Sequence, residues 1–183
     1  MPKVSAEHKE RRRQQILEGA RRCFGQHGYE GATVARLEEE IGLSRGAIFN
    51  YFPSKDALFV ELAIETSRIY TDIWLNEGLR AVLGAIAEAD ADWLAVQFET
   101  TRRVRTDPDF RRLVEEREQE FAETRGERLA RLRPQVRGDV PVEAVAIFLS
   151  FVANGLALRV SLGEPIPDLD AVAKLVEEGV APR

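Results

Sequence analysis

The chain is poor in the side chains that most often carry chemistry. Its 183 residues hold one cysteine, Cys23, and two histidines, His8 and His27. One cysteine excludes an internal disulfide and fits a reducing compartment. Its place among Ala20 and Phe24 reads as core packing of a small apolar residue. There is no Gly-rich phosphate loop and no clustered spacing of metal ligands, so the usual catalytic constellations lack their parts and no enzyme is expected. Paired carboxylates such as Glu115 and Glu116 read more simply as the wet side of a helix. Period-2 alternation is missing as well, and with it any convincing strand. The longest apolar run, Ala144 to Leu158, contains Ser150 and Asn154 and falls short of the about 20 residues that cross a bilayer. The start, MPKVSAEHKERRR, is charged and leads directly into an amphipathic helix rather than the apolar core of a secretory signal. A soluble, cytoplasmic protein is the expectation.

What is present is helical pattern and an uneven charge. Apolar residues make up 44% of the chain, enough for a packed core. The net charge is -5, but residues 1–59 hold ten Lys or Arg against eight Asp or Glu, while residues 60–183 hold sixteen against twenty-three. The basic part, led by Lys9, Arg11, Arg12 and Arg13, suits contact with a polyanion, and the acidic remainder does not. Helical spacing predicts helices over residues 10–27, 34–41, 45–52, 55–74, 77–87, 91–105, 108–132, 142–162 and 168–179. Pro108, the stretch from Pro134 to Pro141, and Gly163 with Pro165 and Pro167 mark the breaks. The fold class expected is all-α, with a helix-turn-helix DNA-binding domain over residues 1–54 and a helical ligand-binding and dimerisation domain over residues 55–183.

The densest signal is TVARLEEEIGLSRGAIFNYFPSKDALF, from Thr33 to Phe59. Thr33 is placed to cap one short helix, Gly42 to stop it in a left-handed conformation, and Ser44 to cap the next. Only Gly42 and Leu43 separate the first helix from that second cap, the short connection of a helix-turn-helix. Leu37 and Ile41 form one apolar stripe, which Leu43, Ile48 and Phe52 can meet. The outer face of the second helix is left with Arg45, Gly46, Asn50 and Tyr51. Pro53 ends that helix and Ser54 caps the next, which begins with Lys55 and Asp56.

These residues, with the preceding CFGQHGYEGATV and the closing Y-F-x-S-K-x-x-L-F, resemble the TetR family of transcriptional regulators. With RTDPDFRR and DVPVEAV further on, the chain is similar to the aconitase-repressor branch of that family. The resemblance implies that Ser44, Arg45, Gly46, Asn50 and Tyr51 lie on the recognition helix of a DNA reader. It also implies that Thr33 and Lys55, at two helix starts beside it, hold phosphates. A helix N-terminus with an adjacent ammonium favours a phosphate oxygen. Arg45 suits bidentate guanine readout, and a phosphate contact without specificity is the alternative. Asn50 departs from the aromatic or His often found at its position. Tyr51 can pack its ring inward and leave only its hydroxyl outside. The Arg11–Arg13 run reads either as a solvated face or as a backbone or minor-groove contact.

The 142–162 segment is apolar nearly all round, AVAIFLSFVANGLAL at its centre, and such a helix needs cover on every side. With the final helix it would form half of a four-helix dimer bundle, the arrangement by which TetR-family proteins form homodimers; a central core helix in a monomer is the plainer alternative. A sensing pocket is implied by the family. Arg128 interrupts a stripe with Phe121 and Leu132, and Asn154 falls in line with Ile147, Phe151 and Leu158. Glu177 follows Ala173 by four. Within the aconitase-repressor resemblance Leu79, Arg128 and Glu177 match pocket positions. The effector implied there is citrate with Mg2+, Glu177 being the metal's side-chain ligand; no cofactor is required. Arg grips a carboxylate bidentately, and a hard divalent ion takes oxygen ligands. Two plainer readings stand beside this: Arg128 as a surface cation near Glu127, and Glu177 with Glu178 as a solvated pair. A hydrophobic or aromatic effector lined by Trp74, Trp93, Phe98 and Phe121 is the alternative within the family. A helical protein-binding adaptor is the alternative outside it, and it leaves the capped turn and the basic face unexplained.

Overall fold

The computed structural model describes residues 6–120, 126–127, 129–131 and 133–180. Among them the chain forms nine α-helices and no strand: α1 (Ala6–Gly31), α2 (Val34–Ile41), α3 (Arg45–Phe49), α4 (Lys55–Glu77), α5 (Leu79–Ala87), α6 (Ala91–Thr106), α7 (Pro108–Glu120), α8 (Val142–Ser161) and α9 (Leu169–Val180). Most of the starts are local chemistry. The Asp90 carboxylate accepts from the Asp92 and Trp93 N–H groups and starts α6. Asp107 does the same for Asp109 and Phe110 at α7, and Asp168 for Asp170 and Ala171 at α9. Each takes orphan donors of a first helical turn. The first helix breaks at Gly28, which has φ 68 and ψ 172, as the sequence led us to expect.

Two differences from the expected helices matter. The helix α3 stops at Phe49, not at Phe52. Its last turn tightens, the Tyr51 N–H donating to the Ile48 carbonyl at 3.0 Å, because Phe52 precedes Pro53 and is kept out of the helical region. The helix expected over residues 108–132 is described only to Glu120 and in pieces thereafter; Phe121, Arg128 and Leu132 lie outside the described residues.

Side chains gather in two cores. The first joins Ile16, Leu17, Ala20, Cys23 and Phe24 of α1 to Leu37 and Ile41 of α2, Ile48 of α3, and Leu58, Phe59 and Leu62 of α4; it also takes in Trp93 and Val96 of α6 and Phe110 of α7. Aromatic rings meet edge to face here, Phe24 and Tyr29 each against Phe59 at 5.1 and 5.2 Å. The second core joins Leu79, Val82, Leu83 and Ile86 of α5 to Leu94, to Val145, Leu149 and Leu156 of α8, and to Ala173 and Val176 of α9. The α4 helix serves both, with Leu58 to Leu62 in the first and Tyr70, Ile73 and Trp74 against the second. Packing passes from one core to the other along the length of α4.

One face of α8 stays open. Ile147, Phe148, Phe151, Leu158 and Leu162 are exposed, Phe151 to 67%, and Leu175 of α9 to 72%. The helix is 20 residues long with a mean hydropathy of 1.7, long and apolar enough to cross a membrane by length and composition, where the sequence had suggested a run too short. It packs on α5 and α6 instead, as a body helix does.

Candidate nucleic-acid interface

The two short helices and their turn are built by three hydroxyl caps. Thr33 Oγ1 accepts from the Arg36 N–H at 3.4 Å, Ser44 Oγ from the Ala47 N–H at 3.4 Å, and Ser54 Oγ from the Ala57 N–H at 3.0 Å. Gly42, at φ 73, ends α2, and its N–H donates to the Glu38 carbonyl oxygen at 2.9 Å. Leu37, Ile41 and Ile48 are buried and lock α2 against α3. With the inner face fixed, Thr33, Ser44, Arg45, Gly46 and Asn50 remain exposed. Gly46 has open space where a Cβ would stand. Tyr51 is half-buried and packs against the first core.

The charged groups are held rather than loose. The Arg45 guanidinium lies 5.9 Å from the Phe49 ring centroid, and its backbone N–H donates to Glu38 Oε1 at 2.6 Å. That carboxylate takes a free donor at the start of α3. The Lys55 Nζ donates to the Tyr29 carbonyl oxygen at 2.9 Å. Burial pushes the Lys55 pKa down, nearby Glu30 acts against this, and Arg103 adds to it. Arg13 turns inward to the buried carboxylate of Glu61, which also accepts from Arg117 at 2.9 Å, so it is not part of a solvated basic run. Arg12 donates to Gln15 at 2.9 Å, and Arg11 is exposed. Sequence reasoning passed over Arg36, which is exposed one turn after Thr33 and fixed by donating to the Gly31 carbonyl at 2.8 Å. Its spacing of three from the cap was the available signal.

The residues expected to hold an effector are not gathered in the same way. Leu79 is buried in the second core, Asn154 is exposed on the open face of α8, and Glu177 is exposed on α9. Arg128 is outside the described residues. Among the described residues no group of three or more His, Cys, Asp or Glu could hold a metal ion, with or without Glu177. Two open grooves, of about 610 and 570 Å³, run along α6 and share Phe98 and Arg102. Neither is lined by Leu79, Asn154 or Glu177. Trp93, expected beside an aromatic effector, is instead a core residue 5.7 Å from the Phe59 ring.

A capped helix-turn-helix on an all-helical body defines a DNA-binding regulator. Residues 16–62 match the bacterial regulatory proteins, tetR family, and residues 74–182 match the BetI-type transcriptional repressor, C-terminal. Among curated proteins the chain is 46% identical to the HTH-type transcriptional repressor Rv1474c of Mycobacterium tuberculosis, covering 98% of each chain. It is 43% identical to the HTH-type transcriptional repressor AcnR of Corynebacterium diphtheriae, covering 98% of this chain and 97% of that one, and 42% identical to AcnR of Corynebacterium glutamicum, covering 93% of each. The chain belongs to the TetR family and is related to the AcnR repressors. Solved structures agree in fold alone. Salmonella enterica GusR superposes with a TM-score of 0.65 at 17% identity, covering 96% of this chain and 97% of that one. A TetR-family regulator from Rhodococcus gives 0.67 at 15%, covering 92% and 95%.

Proposed function

We propose that this protein is a homodimeric repressor that binds palindromic operator DNA and changes its grip when a small molecule binds the body. The observation that carries this reading is the capped turn, on which Ser44, Arg45, Gly46 and Asn50 are exposed, with Thr33 and Lys55 at flanking helix starts. The open apolar face of α8, continued by Leu175 of α9, supports a second copy of the chain as its cover. A twofold pair would present two recognition helices to successive major grooves about 34 to 36 Å apart. Relatives that carry the name repressor over nearly the whole chain support the sign of regulation.

The effector we propose is citrate with Mg2+, taken by Leu79, Arg128 and Glu177, Asn154 lying instead on the face a second copy would cover, and the genes controlled would then serve aconitase or central carbon metabolism. Relatedness to the AcnR repressors supports it. When bound, the ion would draw its oxygens from the ligand, water and Glu177 together. A hydrophobic effector is the second reading, favoured by Phe98 and Val104 along the α6 groove. Selection of duplexes from a random pool by the full chain, followed by binding titrations with citrate, with and without magnesium, tests both levels. A pool that yields no preferred duplex would end the operator reading; binding unchanged by citrate under either condition would end the effector reading.

A further inference from the structure

Arg103 stands near the end of α6, in the body, yet two of the four residues it touches belong to or border the DNA reader. Its Nη1 donates to Asp56 Oδ1 at 3.0 Å and its Nη2 to Asp56 Oδ2 at 3.4 Å. That fork closes on the first turn of α4. Nη2 also donates to Asp107 at 2.9 Å, at the corner between α6 and α7. The guanidinium carbon lies 4.6 Å from the Tyr29 ring centroid and 4.2 Å from that of Phe110. Four segments meet at one side chain.

The neighbour in the chain of the residue so gripped is Lys55. Its ammonium sits 4.3 Å from the same Tyr29 ring. Arg103 and Lys55 therefore share one aromatic ring, and Asp56, next to Lys55 in the chain and ion-paired with Arg103, links the two. Only Asn50 to Ser54 separate α3 from α4, so the angle at which α4 starts also decides where the recognition helix points. A bidentate guanidinium fixes orientation as well as distance, which a point charge does not.

We propose that Arg103 is a positioning residue for DNA binding: from the body, through Asp56, it sets the start of α4, and so the place of the Lys55 ammonium and of α3, without itself touching DNA. This rests on the DNA-reader function proposed above.

The test uses the full chain, a duplex selected by the wild type, and binding titrations at several salt concentrations. Arg103→Met keeps the apolar stem against the rings and removes the fork. It is expected to weaken binding about tenfold, within the range of couplings in shared ion-pair networks, at every salt concentration. The slope of log K against log salt stays as in the wild type, because Lys55 keeps its ammonium and its phosphate and only the cost of aligning them rises. Arg103→Lys recovers part of the loss, and Asp56→Asn loses about as much as Arg103→Met, with the double variant no worse than either. These two carry the test if Arg103→Met does not fold. Binding by folded Arg103→Met or Asp56→Asn within twofold of wild type overturns the proposal. So does a slope reduced by about one, which would make Arg103 a phosphate ligand, and so do additive losses in the double variant. A wild-type chain that selects no duplex removes the DNA-reader function and this inference together; a binding wild type beside equally binding variants removes the inference alone.

Discussion

Lys55 donates to the carbonyl oxygen of Tyr29 at 2.9 Å while its ammonium rests 4.3 Å from the centroid of that same residue's ring. One of three ammonium donors is used in this way, and the helix start beside it favours an anion. Lys55→Met is expected to weaken binding to selected and random duplexes alike and to lower the salt slope by about one. Arg45→Ala should instead erase about 1 to 3 kcal/mol of preference for the selected duplex over random ones. Titrations of both variants on both duplexes decide this. Equal losses everywhere would remove the distinction between a positioning contact and a reading contact.

Two glycines of the reader should respond in opposite ways. A Cβ on Gly19 would stand 2.8 Å from Ile41 Cγ1 and 2.9 Å from Ile41 Cα, in the seam of α1 and α2. Gly19→Ala should cost about 1 to 3 kcal/mol in urea unfolding, as overpacking does. Gly46→Ala meets nothing within 4 Å and should stabilise α3 by about 0.5 to 1 kcal/mol. On the proposed reading of α3 as the helix that meets DNA, affinity for the selected duplex should fall even as stability rises. A Gly46→Ala protein that binds like the wild type would show that close approach at this point is not needed.

Much of the reader was legible because its signals are local. Thr33, Ser44 and Ser54 each cap a donor three residues ahead, and Gly42 adopts the left-handed conformation its position suggested. Spacing along the chain encodes such features directly. Arg103 left no comparable trace, since its partner Asp56 is 47 residues away and only folding brings α6 against the start of α4. Arg13 misled for the same reason. Beside Arg11 and Arg12 it read as part of a basic run, and its buried partner Glu61 lies 48 residues on. Of the body residues, Leu79 rested on the family resemblance alone and Asn154 on periodicity, with Glu177 on both; periodicity tells a face of a helix but not what that face meets.

Glu61 is only 4% exposed and joins Arg13 of α1 to Arg117 of α7 from its place on α4. Glu61→Gln leaves two guanidiniums around a neutral amide. Removing one member of a buried ion pair costs about 3 to 5 kcal/mol, and both arginines reach some water, so about 2 to 3 kcal/mol is expected from denaturant unfolding. The loss should change little between low and high salt, because buried pairs are weakly screened. A salt-sensitive loss under about 0.5 kcal/mol would mark the cluster as an ordinary surface network.

Phe151 is 67% exposed near the middle of the open face of α8. If a second copy covers it, Phe151→Arg places two like charges against each other in the bundle. The expected result is a shift from dimer to monomer in sedimentation at micromolar concentration, a loss of at least about 2 kcal/mol for a central aromatic anchor. An unchanged dimer, or a wild type that sediments as a monomer, would send the twofold reading elsewhere on the surface.

The first core does not end where the reader ends. Trp93, Val96 and Phe110 are as buried in it as Phe24 and Leu37. The amino-terminal helices are therefore not a transplantable cassette: joined to a foreign body, they would carry a hollow shaped for a tryptophan and a phenylalanine that the new host would have to supply. Exchange of readers between such regulators is limited by the fit of α6 and α7 to α1, and sequence drift on one side of that seam must be answered on the other.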